Sequence, residues 1–136
     1  MVTSYRDLVV WQKAMELAVA VYAAAGKLPR DEKFGLAAQV QRAVVSVPSN
    51  IAEGHSRQSQ REFAQFLSVA LGSLAESSTQ VELAGRLKLL DELTVVDLNE
   101  RAEHLRAMLL NLLSAVRDRT IIRDGEPPEY LTEHST

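Results

Sequence analysis

The sequence predicts an all-α fold, an antiparallel up-and-down four-helix bundle. Apolar residues make up 46% of the 136-residue chain but aromatic residues only 5%, and Ala and Leu dominate, a mixture that suits packed helices better than a β-sandwich. Four segments carry apolar residues at three- and four-residue spacings, and none alternates with the period of two that marks a strand. Because the connections are short, we expect consecutive helices to run antiparallel within one domain.

The first two predicted helices are joined by the connection LPRDE. Helix one begins at a cap on Asp7 and ends near Gly26. Its predicted core-facing residues are Leu8, Trp11, Met15, Ala18, Tyr22 and Ala25. Helix two is predicted from about Glu32 to Glu53, and its core-facing residues are Leu36, Val40, Ala43, Val47 and Ile51.

Two further helices complete the predicted domain, residues 1–119. Ser59 opens the third with a capping box in which Glu62 reaches back to it; the core-facing residues are Phe63, Leu67, Ala70, Leu74, Val81 and Ala84, with Ser77 as a polar exception. Thr94, followed by Asp97, opens the fourth, whose core-facing residues are Leu98, Ala102, Leu105, Leu109, Leu112 and Val116. Residues 120–136 contain Gly and Pro but no stripe, so we expect an acidic tail that is extended or disordered.

The second helix contains a proline, in the segment SVPSNIAEGHSR at residues 46–57. Pro48 has no amide hydrogen and its ring crowds the carbonyl of Val44, which predicts a kink. The apolar spacing continues beyond it, so we expect a bend and not an end. Short polar side chains nearby can supply donors to freed carbonyls, and Gly54 is suited to a left-handed helix end. The predicted kink and turn motif comprises Pro48, Asn50, Glu53 and Gly54.

Helices one and four carry more apolar residues than one core-facing stripe requires. The surplus residues are Val10, Leu17, Val21, Met108, Leu110 and Leu113. A wide core within one chain would account for them. The interpretation that we favour is a second buried surface between subunits, because large exposed apolar patches are rare on soluble monomers. We therefore predict a homo-oligomer.

Composition and motifs argue against several functional classes. The absence of cysteine excludes disulfides, thiolate catalysis and Cys-based zinc sites. Charges interrupt the first apolar stretch, unlike a signal peptide, and no apolar run is long enough to span a membrane, so a cytoplasmic protein without membrane contact is expected. Glu53 and His55 could act as general acid and base, but no nucleophile, phosphate-binding loop or metal-ligand spacing accompanies them. We predict no catalytic site, metal or cofactor.

Several motifs along the chain resemble one known family. They are Tyr-Arg-Asp-Leu-x-x-Trp at residues 5–11, Leu-Pro-x-x-Glu-x-x-Gly-Leu at 28–36, Gln39, Arg42, Ala43, Ser-Val-Pro-Ser-Asn-Ile-Ala-Glu-Gly at 46–54, Phe-x-x-Phe-Leu at 63–67 and Ala-Leu-Gly-Ser-Leu-x-Glu at 70–76. Over roughly residues 5–116 the chain resembles the four-helix bundle proteins of the 23S rRNA intervening-sequence type.

The resemblance implies a ring-like homopentamer without enzymatic activity. Members are encoded within intervening sequences of bacterial 23S rRNA genes. A related protein is the accessory variability determinant of diversity-generating retroelements, a basic pentamer that binds nucleic acid and a partner reverse transcriptase. The present chain differs from that relative in charge, because residues 1–119 carry 14 basic and 14 acidic residues and the tail is acidic.

The functional prediction that follows is a non-enzymatic oligomeric scaffold or adaptor of the rRNA intervening-sequence type, with a weak nucleic-acid surface repeated around the ring. Phosphate binding draws its affinity from Lys and Arg, and repetition can strengthen a weak patch. The candidate residues are Arg30, Lys33, Arg42, Arg57 and Arg61. An ordinary solvated surface explains the same residues equally simply. The alternative function is a protein-interaction module of a mobile element or of a toxin–antitoxin pair, which the acidic tail motivates.

Overall fold

The computed structural model describes residues 4–122, and their side chains through Arg119, and these residues form four helices and no strand. The helices are α1 (Val9–Ala25), α2 (Leu36–His55), α3 (Gln60–Arg86) and α4 (Glu92–Ile122), with short 3-10 turns at Tyr5–Asp7 and Arg30–Glu32. Each helix packs against the next one in the chain, and α1 also packs against α4. This arrangement confirms the predicted four-helix bundle.

The core consists of the stripes predicted for α2, α3 and α4. Leu67, Leu105 and Leu109 are 0–1% exposed at its centre, and Val47 and Ile51 of α2 are fully buried against them. Each buried aliphatic side chain of this kind stabilises the fold by about 1.5–3 kcal/mol. The 3.6-residue period therefore identified the inward faces of these three helices correctly.

Helix α1 turns inward a face that matches the predicted one only in part: Leu8, Ala18 and Ala25 are buried as predicted. Val10, Leu17 and Val21 are 0–3% exposed, whereas Met15 and Tyr22, which were predicted to face the core, are 41% and 47% exposed. Both stripes have helical spacing, so periodicity alone cannot choose between them. Most of the residues set aside as surplus thus belong to the wide core of a single chain: Val10, Leu17, Val21 and Leu113 are buried and Met108 is half-buried.

The starts of α3 and α4 are fixed by side-chain caps. At α3 Ser59 is the cap, as predicted: the Glu62 amide donates to Ser59 Oγ at 3.1 Å. The Glu62 carboxylate accepts from the Ser59 hydroxyl at 3.3 Å, whereas the Ser59 amide was its predicted donor. At α4 the predicted opening at Thr94 is wrong, because Asp91 is the cap: its carboxylate accepts from the Thr94 amide at 2.8 Å and from the Thr94 hydroxyl at 2.9 Å. These hydrogen bonds to the charged form lower the pKa of Asp91.

The predicted boundary between domain and tail falls inside α4. This helix continues to Ile122, so its last turn includes residues assigned to the tail. Residues 123–136, the remainder of the predicted tail, lie outside the described part of the chain. Their extended or disordered character stays a prediction.

Helix α2 continues through Pro48, as its apolar spacing predicted, and the proline side chain is buried. The kink itself stays a prediction. Gly54 lies inside the helix and not at a left-handed end, so that expectation is wrong; the cap residue Ser56 has an ordinary right-handed φ of −80°. A Cβ on Gly54 would lie 2.6 Å from Cβ of Phe66 and 3.1 Å from Cδ1 of Phe63. Glycine is needed here because α2 and α3 approach closely.

We expect Gly54→Ala to destabilise the bundle despite the better helix propensity of alanine. Overpacking costs about 1–3 kcal/mol and the propensity gain returns about 1 kcal/mol, so the net loss in urea denaturation should be up to about 2 kcal/mol. Gly72→Ala is the matched control, because this helical glycine has no atom within 4 Å of an added Cβ. It should stabilise by about 0.5–1 kcal/mol. Equal effects at both sites, measured at one protein concentration, would contradict the packing argument.

Candidate functional site

Much of the motif-bearing sequence meets at one end of the bundle. In an up-and-down bundle the start of α1, the end of α2, the start of α3 and the end of α4 share an end. We call it the α2–α3 end, after the turn at residues 56–59. It contains the first motif of the chain, the Glu-Gly-His segment and the Phe-x-x-Phe-Leu segment.

The side chains of the first motif pack together at the start of α1. We call the cluster of Tyr5, Arg6, Trp11 and Gln12 the clasp. The rings of Tyr5 and Trp11 meet edge to face with centroids 5.2 Å apart, and the guanidinium of Arg6 lies 5.5 Å and 5.7 Å from their centroids. The side-chain amide of Gln12 donates to the Arg6 carbonyl at 2.9 Å, and Leu8 is buried below. Contacts of this kind, worth about 0.5–1 kcal/mol for each cation–π pair, hold the 3-10 turn against α1.

Arg57, a predicted nucleic-acid residue, is occupied by contacts within the chain. Its guanidinium lies 3.2 Å from Glu53 Oε1 and 3.8 Å from Glu62 Oε2, and it covers the ring of Phe66 at 5.0 Å. Two carboxylates compensate its charge locally. Arg57 therefore joins the end of α2 to the start of α3, and its capacity to attract phosphate is small.

The structure does not gather the five predicted basic residues into one patch. Arg57 and Arg61 lie at the α2–α3 end, Arg30 and Lys33 precede α2 at the opposite end, and Arg42 lies between them. The 20 residues of α2 separate the two groups by about 30 Å. Arg30, Lys33, Arg42 and Arg61 form no ion pair within residues 4–119, although the ammonium of Lys33 lies 5.6 Å from the ring of Phe34.

Two arginines at the α2–α3 end were missed by the sequence analysis. Arg6 and Arg117 are exposed and, like Arg61, form no ion pair within residues 4–119. Arg117 donates from Nη2 to Ser68 Oγ at 3.4 Å, which places it across the outer groove between α3 and α4. The signal that could have identified them is the topology, because a four-helix bundle brings the chain start and the end of α4 to one end.

Polar residues of the motifs link α2 to α3. The amide of Asn50 donates to the Ser46 carbonyl at 2.7 Å and to its hydroxyl at 2.8 Å, and the Ser73 hydroxyl donates to Ser46 Oγ at 2.9 Å. Further along, Gln80 Nε2 donates to Gln39 Oε1 at 3.5 Å. Asn50 therefore bonds to a carbonyl one turn earlier on α2, and its role in a kink and turn motif stays a prediction.

His55 is held between the start of the chain and α3. Its ring meets Phe63 edge to face at 5.8 Å. Burial lowers the pKa of His55 from its ordinary value, and the carboxylate of Asp7 opposes that shift. The neighbouring Glu53 carboxylate is paired with Arg57, so the geometry offers no acid–base pair. Within residues 4–122 no group of three His, Asp or Glu side chains is arranged to hold a metal ion.

An uncharged apolar surface lies on the outside of α1. Helix α1 has only two charged residues, Lys13 and Glu16, and both line the groove toward α4, whose facing residues are Asp97, Glu100, Arg101 and His104. Met15, Val19 and Tyr22 follow one another at helical spacing elsewhere on α1 and are 41%, 69% and 47% exposed. We call these three residues the α1 outer face.

A second set of exposed apolar side chains lies at the end opposite the α2–α3 end. Phe34, before α2, is 88% exposed, and Leu87 and Leu93, beside the α3–α4 turn, are 55% and 83% exposed. The α1–α2 and α3–α4 connections share this end of the bundle. Exposed apolar side chains of this size are typical of sites that contact other proteins.

The pH dependence of stability should reveal the buried position of His55. At pH values between the lowered pKa of folded His55 and the ordinary value of about 6.5, the His55 ring binds more protons in the unfolded chain than in the folded one. The stability that folding gains from a neutral His55 ring is therefore complete above about pH 6.5, and it decreases as the pH falls below this value. Urea denaturation at pH 7.5 and 5.5 should show a smaller loss for His55→Gln than for the parent chain. His104→Gln, at an exposed position of α4, is the control; an NMR titration midpoint of His55 at or above 6.5 would contradict the assignment.

None of the helices in residues 4–122 combines the length and apolarity needed to cross a membrane.

No curated protein matches the chain. A crystal structure of a protein with unknown function from the S23 ribosomal protein family of Bacteroides thetaiotaomicron is similar at 25% identity and a TM-score of 0.72, covering 76% of this chain and 97% of that one. The family model of the 23S rRNA-intervening sequence protein matches residues 6–111, which include Arg6 and Trp11 of the clasp, Gly54 and the polar contacts between α2 and α3. The chain therefore belongs to the 23S rRNA-intervening sequence protein family.

Proposed function

We propose that the protein is a non-enzymatic oligomeric scaffold or adaptor that assembles through the α1 outer face. The observation that supports this is the exposure of Met15, Val19 and Tyr22 on a helix whose two charges lie toward α4. Soluble chains seldom leave such a surface in water. A surface without charge also meets another copy without like-charge repulsion or the cost of desolvating an ion. The family resemblance supplies the proposed number of copies, a ring of five.

The position of the α1 outer face suits contact between chains better than a role in the fold. Helix α1 already buries Val10, Leu17 and Val21 against its neighbours, so the remaining apolar residues have no further surface to cover within residues 4–119. In a ring each copy presents this face to a different face of the next copy. The cytoplasmic location and the absence of catalysis remain part of this proposal.

Weak nucleic-acid binding is the second part of the proposed function. Arg30, Arg42 and Arg61 are exposed and form no ion pair within residues 4–119. Of these, Arg42 and Arg61 lie on helices α2 and α3, and they are the two phosphate contacts proposed here. Arg57 contributes less because Glu53 and Glu62 flank it. Two cations per chain bind phosphate weakly, but several copies in one assembly raise the effective affinity.

An adaptor that binds protein partners without nucleic acid is the alternative function. The exposed apolar residues Phe34, Leu87 and Leu93 favour it, because they lie at the end of the bundle opposite Arg57 and Arg61. In that case the assembly would present one apolar site per copy to a partner of a mobile element or a toxin–antitoxin pair. Failure of RNA and DNA to bind at low ionic strength would favour this function.

Val19→Lys should dissociate the assembly. An unpaired charge in a closed apolar interface costs several kcal/mol, which is enough to reverse a moderately tight association. Multi-angle light scattering should give the single-chain mass of 15.0 kDa for this variant and a multiple of it for the parent chain. Val69→Lys, at a 52% exposed position on α3, is the matched control and should keep the parent mass. A parent chain of 15.0 kDa at working concentration would overturn the assembly proposal.

The double variant Arg42→Gln/Arg61→Gln should weaken nucleic-acid binding and its salt dependence. Each cation that no longer neutralises a phosphate lowers the slope of log affinity against log salt by roughly 0.7–0.9 per chain. Gel shifts with a structured RNA and a duplex DNA, over a series of salt concentrations, measure both effects. Arg101→Gln/Arg106→Gln changes the net charge equally on α4 and serves as the control. Equal losses for the two variants would show an effect of net charge alone.

A further inference from the structure

Phe34 projects from the end of the bundle opposite the α2–α3 end. Its side chain is 88% exposed, the largest fraction among the large hydrophobic residues that the structure describes. It lies between the 3-10 turn Arg30–Glu32 and the first residue of α2, and the ammonium of Lys33 is 5.6 Å from its aromatic ring. A phenylalanine removes about 150–250 Å² from water when it packs, so contact with another molecule would bury much apolar surface here.

An open pocket of about 590 Å³ lies at the same end, beside the turn between α3 and α4. Leu89, Leu90 and Val95 supply its apolar lining. A Cβ on Gly85 would lie 2.8 Å from Cγ2 of Val95, so glycine lets α3 and α4 approach closely at this point. Pockets of about 300–1,000 Å³ hold small organic ligands, and this one has room for the side chain of a phenylalanine. Phe34 of the same chain stays outside it.

The two connections at this end carry opposite net charges. Residues 27–33, which lead to Phe34, contain three basic and two acidic residues, whereas residues 82–92, which surround the pocket, contain two basic and three acidic residues. Arg86 and Glu82 of the second set pair with each other at 2.9 Å, which leaves two carboxylates against one ammonium. Surfaces of opposite charge attract and orient each other as they meet. A copy of this chain therefore carries both halves of a complementary contact.

We propose that two copies of this chain meet end to end, with Phe34 of each inserted into the α3–α4 pocket of the other. Such a contact has twofold symmetry, so the same insertion forms twice. Leu87 and Leu93, beside the same turn, are 55% and 83% exposed in the single chain, and in this arrangement they lie against the inserted side chain. One interface thus covers the three large exposed apolar residues of this end.

Lys33 and Glu92 come together in this arrangement. Lys33 directly precedes Phe34, and Glu92 lines the pocket that receives it. Both are exposed and form no ion pair within residues 4–119. The neighbouring carboxylate of Asp91 already caps α4 and is attracted by Lys27 within the chain. Glu92 is therefore the carboxylate best placed to meet Lys33 of the other copy.

The size of the assembly rests on the proposed ring of five copies. The α1 outer face lies along the side of the bundle, so assembly through it sets the bundles side by side, and rotational symmetry turns all the Phe34 ends to one face of the ring. A single contact with two phenylalanine anchors is smaller than the ~1,200 Å² of a stable interface, so isolated chains stay apart. Five such contacts formed together hold two rings face to face.

Light scattering of Phe34→Asp tests the contact. This variant should have half the mass of the parent assembly, because a carboxylate cannot enter an apolar pocket without losing its hydration. Val69→Asp, at a 52% exposed position on α3, is the matched control and should keep the parent mass. Circular dichroism checks that both variants retain their helices. An unchanged mass for Phe34→Asp, or halved masses for both variants, would overturn the proposal.

Charge reversal tests the pairing of the two ends. Lys33→Glu alone and Glu92→Lys alone should each halve the mass at low ionic strength, since like charges then face each other in every contact. The double variant Lys33→Glu/Glu92→Lys should restore the parent mass, because the ion pair forms again with its signs exchanged. A double variant that stays at half the mass would overturn the proposed meeting of Lys33 and Glu92.

The same measurements separate the end-to-end contact from the ring. A parent of two chains that falls to the single-chain mass of 15.0 kDa in Phe34→Asp would show that the contact stands and the ring fails. A parent that keeps its mass in Phe34→Asp but falls to 15.0 kDa in Val19→Lys would show that the ring stands and the contact fails. In that case the exposed side chain of Phe34 would be left to a protein partner of another kind.

Discussion

The close approach of α2 and α3 at Gly54 is the constraint on which the rest of the structure depends. Because Gly54 has no side chain, the Cβ of Phe66 lies where a methyl group would be. The same approach brings the Ser73 hydroxyl of α3 within 2.9 Å of Ser46 Oγ on α2, which also accepts a hydrogen bond from the Asn50 amide within α2. A larger residue at this position would push α3 outward and lengthen these contacts. Packing and polar contacts therefore support one geometry, and this explains why the motif combines a glycine with short polar residues.

The fold was predictable where each helix has one apolar face. On α3, Leu67 and Leu74 are buried as predicted, because polar residues separate the apolar stripe from its surroundings. On α1 almost every position is apolar, so Met15 and Leu17 were equally good candidates for the core and only the packed chain distinguishes them. The cap of α4 was missed for a related reason, since Asp91 and Thr94 are both good capping residues and only the geometry shows which one accepts the hydrogen bonds.

The candidate surface was less predictable than the fold. Whether an arginine is paired with a carboxylate depends on which side chains the folded chain brings together. Arg57 and Arg61 look equivalent in the sequence, yet Arg57 lies between Glu53 and Glu62 while Arg61 has no ion pair within residues 4–119. Arg6 and Arg117 are far from them in the chain and reach the same end only through the bundle topology. Topology is derivable from the helix pattern, so these two residues could have been found; the pairing of Arg57 could not.

The two proposed surfaces are compatible within one assembly because of where they lie on the bundle. Helix α1 packs against α2 and α4, and α3 lies diagonally across from it. The α1 outer face therefore does not overlap the outer groove between α3 and α4. If a partner approached α1 from the groove side instead, it would meet Lys13, Glu16 and Arg101 and would have to desolvate several charges. Assembly through Met15, Val19 and Tyr22 avoids that cost, and these residues lie on α1, apart from Arg61 on α3.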